Sequence, residues 1–463
     1  MPHRFDPAIL RDYDVRGVVG RGLGPADAVA IGRSFGTVVR RAGGTRIAVC
    51  YDGRTHSPML EEALVTGLTA TGIDVVRIGL GPTPMLYFAE TALEVDAGIM
   101  VTGSHNPADH NGFKLVLHHR PFFGADITRL GETAAAGDWD DGDGRVDNAD
   151  IADLYLDRLL QDHDAGALRI GWDTGNGAAG PLVDRLTALL PGTHLTLYTS
   201  VDGRFPNHHP DPTIPANLAA LRDLVMAQAL DFGIAFDGDG DRIGAVDGHG
   251  RIVPADQLLA ILAEPVLAAH PGATIIGDVK MSQALFDRVA ALGGTPVMGK
   301  AGHAPMKMLL AETGALLAGE MSGHLFFADR YPGYDDALYA ALRLIDAVHR
   351  SGRTLAELVD ELPTLANTPE LRFPCPDDRK FAVVAAITAT LQAAAIPIDT
   401  TDGIRRTGAD GWWLLRASNT EPLLVARAEG RDAAALDRLI ADLNGHLTAS
   451  GIAPLRLQTA DTA

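Results

Sequence analysis

Short apolar runs, each followed by a polar turn and then by an Ala/Leu-rich stretch of helical period, recur along this 463-residue chain. Arg46–Cys50, Val75–Ile78, Ala97–Val101, Leu168–Trp172, Asp231–Phe236 and Thr274–Gly277 are such runs. They are short and almost continuously apolar, which suits strands covered on both faces. Strands alternating with helices imply βαβ units and parallel or mixed sheets, and three such units repeat along the chain. The acidic, glycine-rich stretch 137–147 marks a boundary near residue 150, and Asp247-Gly248-His249-Gly250 marks a turn near the next. Beyond about residue 365, Pro374 to Asp378 sets off a last segment of different rhythm. The expected division is therefore 1–150, 151–250, 251–365 and 366–463.

Several of these runs lead into loops with chemical potential. Ala97–Val101 is followed by Thr102-Gly103-Ser104-His105-Asn106-Pro107, where turn formers stop the strand and leave Ser104 at its end. Ligands meet α/β folds at strand ends, so Ser104 is a candidate phosphate carrier or nucleophile; a plain Asx or ST turn has the same composition. Asp231–Phe236 runs into Asp237-Gly238-Asp239-Gly240-Asp241-Arg242. Three carboxylates at alternate positions, spaced by glycines, can converge on one centre, and a hard divalent cation would remove their repulsion. An EF-hand is excluded: Arg242 stands where that loop needs glycine and Gly248 where it needs a bidentate glutamate. Gly319-Glu320-Met321-Ser322-Gly323-His324 offers donors and acceptors at the spacing of sugar hydroxyls, although a mixed polar helix start looks similar. Arg416-Ala417-Ser418-Asn419-Thr420-Glu421-Pro422, after the apolar Gly411–Leu415, makes a compact phosphate receptor or a polar hairpin turn.

These four motifs, in this order, resemble those of the α-D-phosphohexomutase family, in its phosphomannomutase/phosphoglucomutase branch. The likeness runs from Tyr13-Asp14-Val15-Arg16-Gly17 to Arg427, nearly the whole chain. It implies three consecutive α/β domains with mixed sheets and a smaller, hinged α+β C-terminal domain around a central cleft. It implies that Ser104 carries a phosphoryl group, that Asp237, Asp239 and Asp241 hold Mg²⁺ with it, and that a hexose 1,6-bisphosphate is intermediate and activator. By the same likeness Glu320, Ser322 and His324 grip sugar hydroxyls, and Arg416, Ser418, Asn419 and Thr420 bind the phosphate that is not reacting. Tyr13, Arg16, Lys114, Arg242, Lys280, His303 and Arg427 also fall at family site positions. A phosphoserine of about −1.5 to −2 charges beside three aspartates is untenable without a cation, so the assignments support one another. Lys114, His105 and His324 are the candidates to accept the sugar hydroxyl proton. The expected reaction is reversible transfer between C1 and C6 of a mannose or glucose phosphate. A glucosamine or N-acetylglucosamine phosphate mutase is the nearer alternative.

A more distant alternative rests on Gly175-Asn176-Gly177-Ala178-Ala179-Gly180, a GxGxxG match after a strand, with Asp202 downstream. An NAD-dependent oxidoreductase would leave the serine, the aspartates and the Arg416 segment without a role. Net charge is −20, from 59 acids against 39 bases, which argues against nucleic acid and requires the cations to be concentrated at an anionic substrate. The two cysteines, Cys50 and Cys375, make no disulfide framework. No run is apolar and long enough to span a bilayer, and Met1 to Pro7 lacks a secretory signal. A cytoplasmic enzyme, monomeric or weakly homo-oligomeric, is the expectation.

Overall fold

The computed structural model describes residues 2–164, 166–418 and 422–455. Two units make up the chain: Met1–Gly277, Leu285–Val297 and Gly302–Glu361 form one, and Asp278–Ala284, Met298–Ala301 and Leu362–Ala463 the other. The first strands of the first sheet lie in the order Gly22–Leu23, Val15–Val19, His110–Leu117 and Ala97–Val101. It continues through Arg46–Tyr51 and Asp74–Leu80 to Val146–Asn148. The second sheet orders Gly192–Leu197, Leu168–Asp173, Phe232–Phe236, Ile243–Asp247 and Ile252–Val253. The third orders Thr295–Gly299, Thr274–Asp278, Leu317–Gly319 and Leu325–Phe327. These three sheets mix parallel and antiparallel pairs. The fourth, in the second unit, contains only antiparallel pairs: Ala366–Asn367 and Leu371–Pro374 flank Leu423–Gly430, followed by Gly411–Ala417 and Ile404–Gly408.

One arrangement recurs in the first three sheets and accounts for the positions of the motifs. A fully buried strand pairs in parallel with an earlier strand and then returns antiparallel to itself, and the motif is the turn between. Ala97–Val101 pairs in parallel with Arg46–Tyr51 and returns as His110–Leu117, with Ser104 in the turn. Phe232–Phe236 pairs with Leu168–Asp173 and returns as Ile243–Asp247 around the three aspartates. Leu317–Gly319 pairs with Thr274–Asp278 and returns as Leu325–Phe327 around Glu320–His324. Each motif thus lies beyond the carboxyl end of a strand, where α/β sheets present ligand sites.

The 137–147 stretch runs into Val146–Asn148, which adds a parallel edge strand to Asp74–Leu80. Its acids fold back onto the helix Pro25–Arg41, where Arg41 meets Asp138 at 2.8 Å and Asp140 at 2.9 Å. The turn 248–250 is a hairpin inside the second sheet, which ends at Val253, and Pro374 to Asp378 leads from the strand Leu371–Pro374 into the helix Asp377–Ala393. No helix among the described residues is long and apolar enough to cross a membrane.

Glu90, on the helix Thr83–Ala92, is 3% exposed, and its Oε1 has no hydrogen-bond partner among the described residues. Burial pushes its carboxyl up to about 8 against the pull of Lys307. Between the unfolded value of 4.5 and about 8 the native chain holds a proton that the unfolded chain lacks, so stability falls as pH rises through that window. Glu90→Gln is expected to flatten this slope and to exceed the parent at pH 8 by a few kcal/mol, as measured by urea denaturation.

Candidate active site

Ser104 sits at φ +49, in the left-handed region, and the loop around it is held there from beneath. Its N–H donates to Thr102 Oγ1 at 2.7 Å, and its carbonyl accepts from Arg54 Nη2 at 2.7 Å. The fully buried Arg54 guanidinium also donates to the carbonyls of Asn106 (2.6 Å), Pro107 (2.5 Å) and His110 (3.0 Å). Asp52, the buried counter-charge of Arg54, accepts from Thr102 Oγ1 at 2.7 Å and Gly103 N at 3.1 Å. The serine hydroxyl is left to face the aspartates: Ser104 Oγ donates to Asp237 Oδ2 at 2.9 Å and lies 3.1 Å from His105 Nδ1.

Asp237, Asp239 and Asp241 are all fully buried, with ligand oxygens within 4.8 Å of one another. Glycine is required between them. A Cβ at Gly238 would stand 2.5 Å from the Ser104 carbonyl, and Gly240, at φ +71, is closed in by Pro82, Ala179 and Leu338, one from each of the first three sheets' regions. Lys114 Nζ donates to Oδ2 of Asp239 (2.8 Å) and of Asp241 (2.5 Å), and Thr83 Oγ1 donates to the same Asp239 oxygen at 2.5 Å. Burial, with the charges of its two neighbours, pushes Asp237 well above the carboxylate range. Burial also acts to raise Asp239, but Lys114 and the bonds from Lys114 and Thr83 hold it well below. Asp241 is pushed up to about 6 by burial and Asp239. Burial acts to lower Lys114, yet the two aspartates outweigh it and raise the ammonium. Oδ1 of Asp239 and of Asp241 are buried without a hydrogen-bond partner among the described residues. An all-oxygen donor set with two orphaned carboxylate oxygens fits a hard divalent cation.

Beside the acids, His324 Nε2 accepts from Arg242 Nε at 2.9 Å, and His324 Nδ1 lies 3.0 Å from Asp335 Oδ2. Asp335 Oδ1 is 2.6 Å from Lys307 Nζ, which lies 3.9 Å above the Tyr87 ring. His303 stacks on His324 with centroids 5.7 Å apart, and Tyr13 meets His303 edge-on at 6.3 Å. Burial first, then nearby cations (Arg242 for His105 and His324, Lys307 for His303), hold all three well below the imidazole range, so they are neutral near pH 7. Arg16 Nη1 donates to the carbonyl of Gly103 and to Asn106 Oδ1, each at 3.1 Å. Glu320 accepts from Gly302 N at 2.5 Å, and Ser322 is half-buried in the same turn. The first unit therefore gathers Tyr13, Arg16, Ser104, His105, Lys114, the three aspartates, Arg242, His303, Glu320, Ser322 and His324.

The remaining candidates belong to the second unit. Arg416 and Arg427 lie on strands, not in the loop that was expected for Arg416, because Gly411–Ala417 extends through it. Arg416 Nε donates to Asp402 Oδ2 at 2.8 Å, and Ser418 follows the strand. Arg427 donates to the Lys280 carbonyl, while Lys280 Nζ lies 3.2 Å from Glu370 Oε2. Asn419 and Thr420 lie outside the described residues. Sequence reasoning missed Arg54, Asp52, Thr83, Asp335 and Lys307. Signals existed for three of them: Lys307 stands one helical turn after His303, and Tyr51-Asp52-Gly53-Arg54 ends a strand much as the other motifs do.

Four consecutive segments match phosphoglucomutase/phosphomannomutase models: residues 8–136 to α/β/α domain I, 153–250 to domain II, 254–365 to domain III and 370–446 to the C-terminal domain. The Pseudomonas aeruginosa phosphomannomutase/phosphoglucomutase is 42% identical over 93% of this chain and 94% of its own length. The chain belongs to the phosphoglucomutase/phosphomannomutase family. As a member of that family it is a phosphohexomutase, an isomerase of hexose phosphates. The Neisseria gonorrhoeae phosphoglucomutase is 40% identical over 93% of this chain and 95% of its own. A Burkholderia thailandensis phosphoglucomutase/phosphomannomutase family structure superposes with a TM-score of 0.92 at 42% identity, covering 96% of this chain and 98% of that one. The Aspergillus fumigatus N-acetylphosphoglucosamine mutase, at 14% identity and a TM-score of 0.60 with 97% of each chain covered, shares the fold alone. The phosphohexomutase fold also accounts for the GxGxxG match. A Cβ at Gly177 would lie 2.8 Å from the Gly238 carbonyl, so this glycine lets the turn pack on the aspartate loop instead of on a dinucleotide. Asp202 is engaged locally by Arg204 at 2.9 Å.

Proposed function

We propose that Ser104 is the phosphoryl carrier in reversible transfer between C1 and C6 of mannose and glucose phosphates, through a hexose 1,6-bisphosphate. The observation that carries this reading is the 2.9 Å hydrogen bond between the Ser104 hydroxyl and Asp237, which joins the hydroxyl at this strand end to a buried acidic triad. Asp237, Asp239 and Asp241 would hold Mg²⁺ with the phosphoserine. When bound, the ion supplies Lewis-acid stabilisation of the phosphoryl oxygens and of the leaving serine oxygen. Arg242 adds positive charge on the same side.

In the first half-reaction a sugar hydroxyl oxygen bonds to phosphorus, the bond from phosphorus to Ser104 Oγ breaks, and the hydroxyl proton leaves to a base; in the second, Ser104 Oγ bonds to the phosphorus at the other end, the bond from that phosphorus to the sugar oxygen breaks, and the sugar oxygen takes a proton. His324 is the group best suited to be that base. Its imidazole is neutral, and Asp335 orients it and stabilises the imidazolium that forms. The substrate hydroxyl would replace Arg242 at Nε2. The proton is returned, and the phosphate at the other end goes back to Ser104, when the bisphosphate is bound the other way round. Glu320 and Ser322 would grip the hydroxyls at C3 and C4, which glucose and mannose share. Lys280, Arg416, Ser418 and Arg427, with Asn419 and Thr420, would bind the phosphate that does not react. We further propose domain limits near residues 150, 250 and 365, a cytoplasmic location, and a monomer or weak homo-oligomer.

Peptide mass spectrometry after incubation with labelled glucose 1,6-bisphosphate should find the label on Ser104, and rates on mannose, glucose and N-acetylglucosamine phosphates should favour the first two. Label elsewhere, or a preference for the acetamido sugar, would overturn the reading. Asp335→Asn is expected to lower kcat by about 100-fold with less change in KM, since it removes the charged partner of the base, and of Lys307 behind it, without touching the groups that would hold the sugar. Neutral His324 is the active form, so the acid limb of the parent's pH profile should lie below the ordinary imidazole range, with activity falling as pH drops through it.

A further inference from the structure

Thr83 lies far from the aspartates in sequence, in a different sheet's region, and has two grips on the same residue. Its N–H donates to the carbonyl of Asp239 at 2.8 Å, and its Oγ1 donates to Asp239 Oδ2 at 2.5 Å. The sequence around it, Pro82-Thr83-Pro84, makes this pairing specific. Neither proline has an amide proton, so the Thr83 N–H is the first donor at the start of the helix Thr83–Ala92, and it is given to residue 239. The positive end of that helix favours the carboxylate placed there. Pro82 itself closes over the next residue, Gly240, where a Cβ would stand 2.9 Å from the Pro82 Cβ.

The two side-chain bonds on Asp239 converge on one oxygen. Oδ2 accepts from both Thr83 Oγ1 and Lys114 Nζ, which occupies its two lone pairs. Oδ1 is buried and accepts nothing among the described residues. We propose that Thr83 is a positioning residue of the cation site: by saturating Oδ2 together with Lys114, it fixes the Asp239 carboxylate with Oδ1 as the ligand atom. This rests on the reading of Asp237, Asp239 and Asp241 as a divalent-cation site. It makes that site a joint construction, with the ligands supplied by the second sheet and their orientation by the first. Ion affinity therefore depends on a residue that never touches the ion.

Titration of the full-length protein with Mn²⁺, followed through the EPR signal of the free ion, tests this without reference to turnover. Thr83→Val and Thr83→Ala should each raise the Kd for Mn²⁺ by about tenfold or more, in the range seen when outer partners of metal ligands are removed. Thr83→Ser, which keeps the hydroxyl, should bind Mn²⁺ close to the parent. The alanine variant only removes atoms, so it serves if the valine variant does not fold. Parent-like affinity in both hydroxyl-free variants, alongside loss of binding in Asp239→Asn, would overturn the proposal and leave the cation site standing. Failure of Thr83→Ser to restore binding would also overturn it. Parent-like binding by Asp239→Asn would remove the cation site and the proposal together.

Discussion

Ser104→Ala is expected to lower turnover by about 10⁴-fold or more, because no other group can take over a covalent carrier role. The loop itself should survive the change. Its shape is set by the Ser104 backbone, whose N–H and carbonyl are bonded to Thr102 and Arg54, and the lost hydroxyl leaves only Asp237 Oδ2 and His105 Nδ1 to be met by water. The melting temperature should therefore stay near the parent's while kcat collapses and label vanishes from the peptide spanning residues 102–107. A coupled assay on glucose 1-phosphate with catalytic bisphosphate measures the first, and mass spectrometry the second. Near-parent turnover in this variant would end the carrier role.

Arg54→Ala is expected to act through the backbone. It strips donors from four carbonyls, those of Ser104, Asn106, Pro107 and His110, and leaves the buried Asp52 without its counter-charge. Breaking a buried pair of this kind costs about 3–5 kcal/mol. Urea denaturation should show a loss of that size, and kcat should fall because Ser104 is no longer fixed toward Asp237. Arg54→Lys should rescue little. An ammonium is a point donor and cannot span a fan of acceptors that a planar fork reaches. If the lysine variant kept both stability and kcat, the fork geometry would not be what shapes the loop.

The strands that end in chemistry were legible because burial on both faces writes an unbroken apolar run. Ala97–Val101 was found at its observed limits, and Asp231–Phe236 differs from the observed Phe232–Phe236 by one residue. The aspartate triad was legible because three like charges at alternate positions after such a strand repel one another unless something gathers them, and the structure buries all three. The antiparallel returns were less visible, since a return strand such as His110–Leu117 carries polar residues, Lys114 among them, inside its apolar run. The acid-rich stretch before residue 150 was legible as acidic but not as bound, because its partners Arg33 and Arg41 lie far off in sequence on the first helix. Thr83 and Asp335 act through partners more than 10 residues away in sequence, at separations of 156 and 11, and spacing rules see only neighbours. The bridge that Lys114 makes between Asp239 and Asp241 was not legible, because it depends on which two oxygens the ammonium meets.

Gly240 is hemmed in by Pro82, Ala179 and Leu338, side chains drawn from three successive parts of the chain. Homologous recombination is constrained by that fit. A chimera that imports the stretch 232–247 from a relative also imports a shape that the other three positions must match. Such exchanges should succeed when residues 82, 179 and 338 travel with the donor segment, so what is inherited together here is a set of touching side chains and not a contiguous piece of gene.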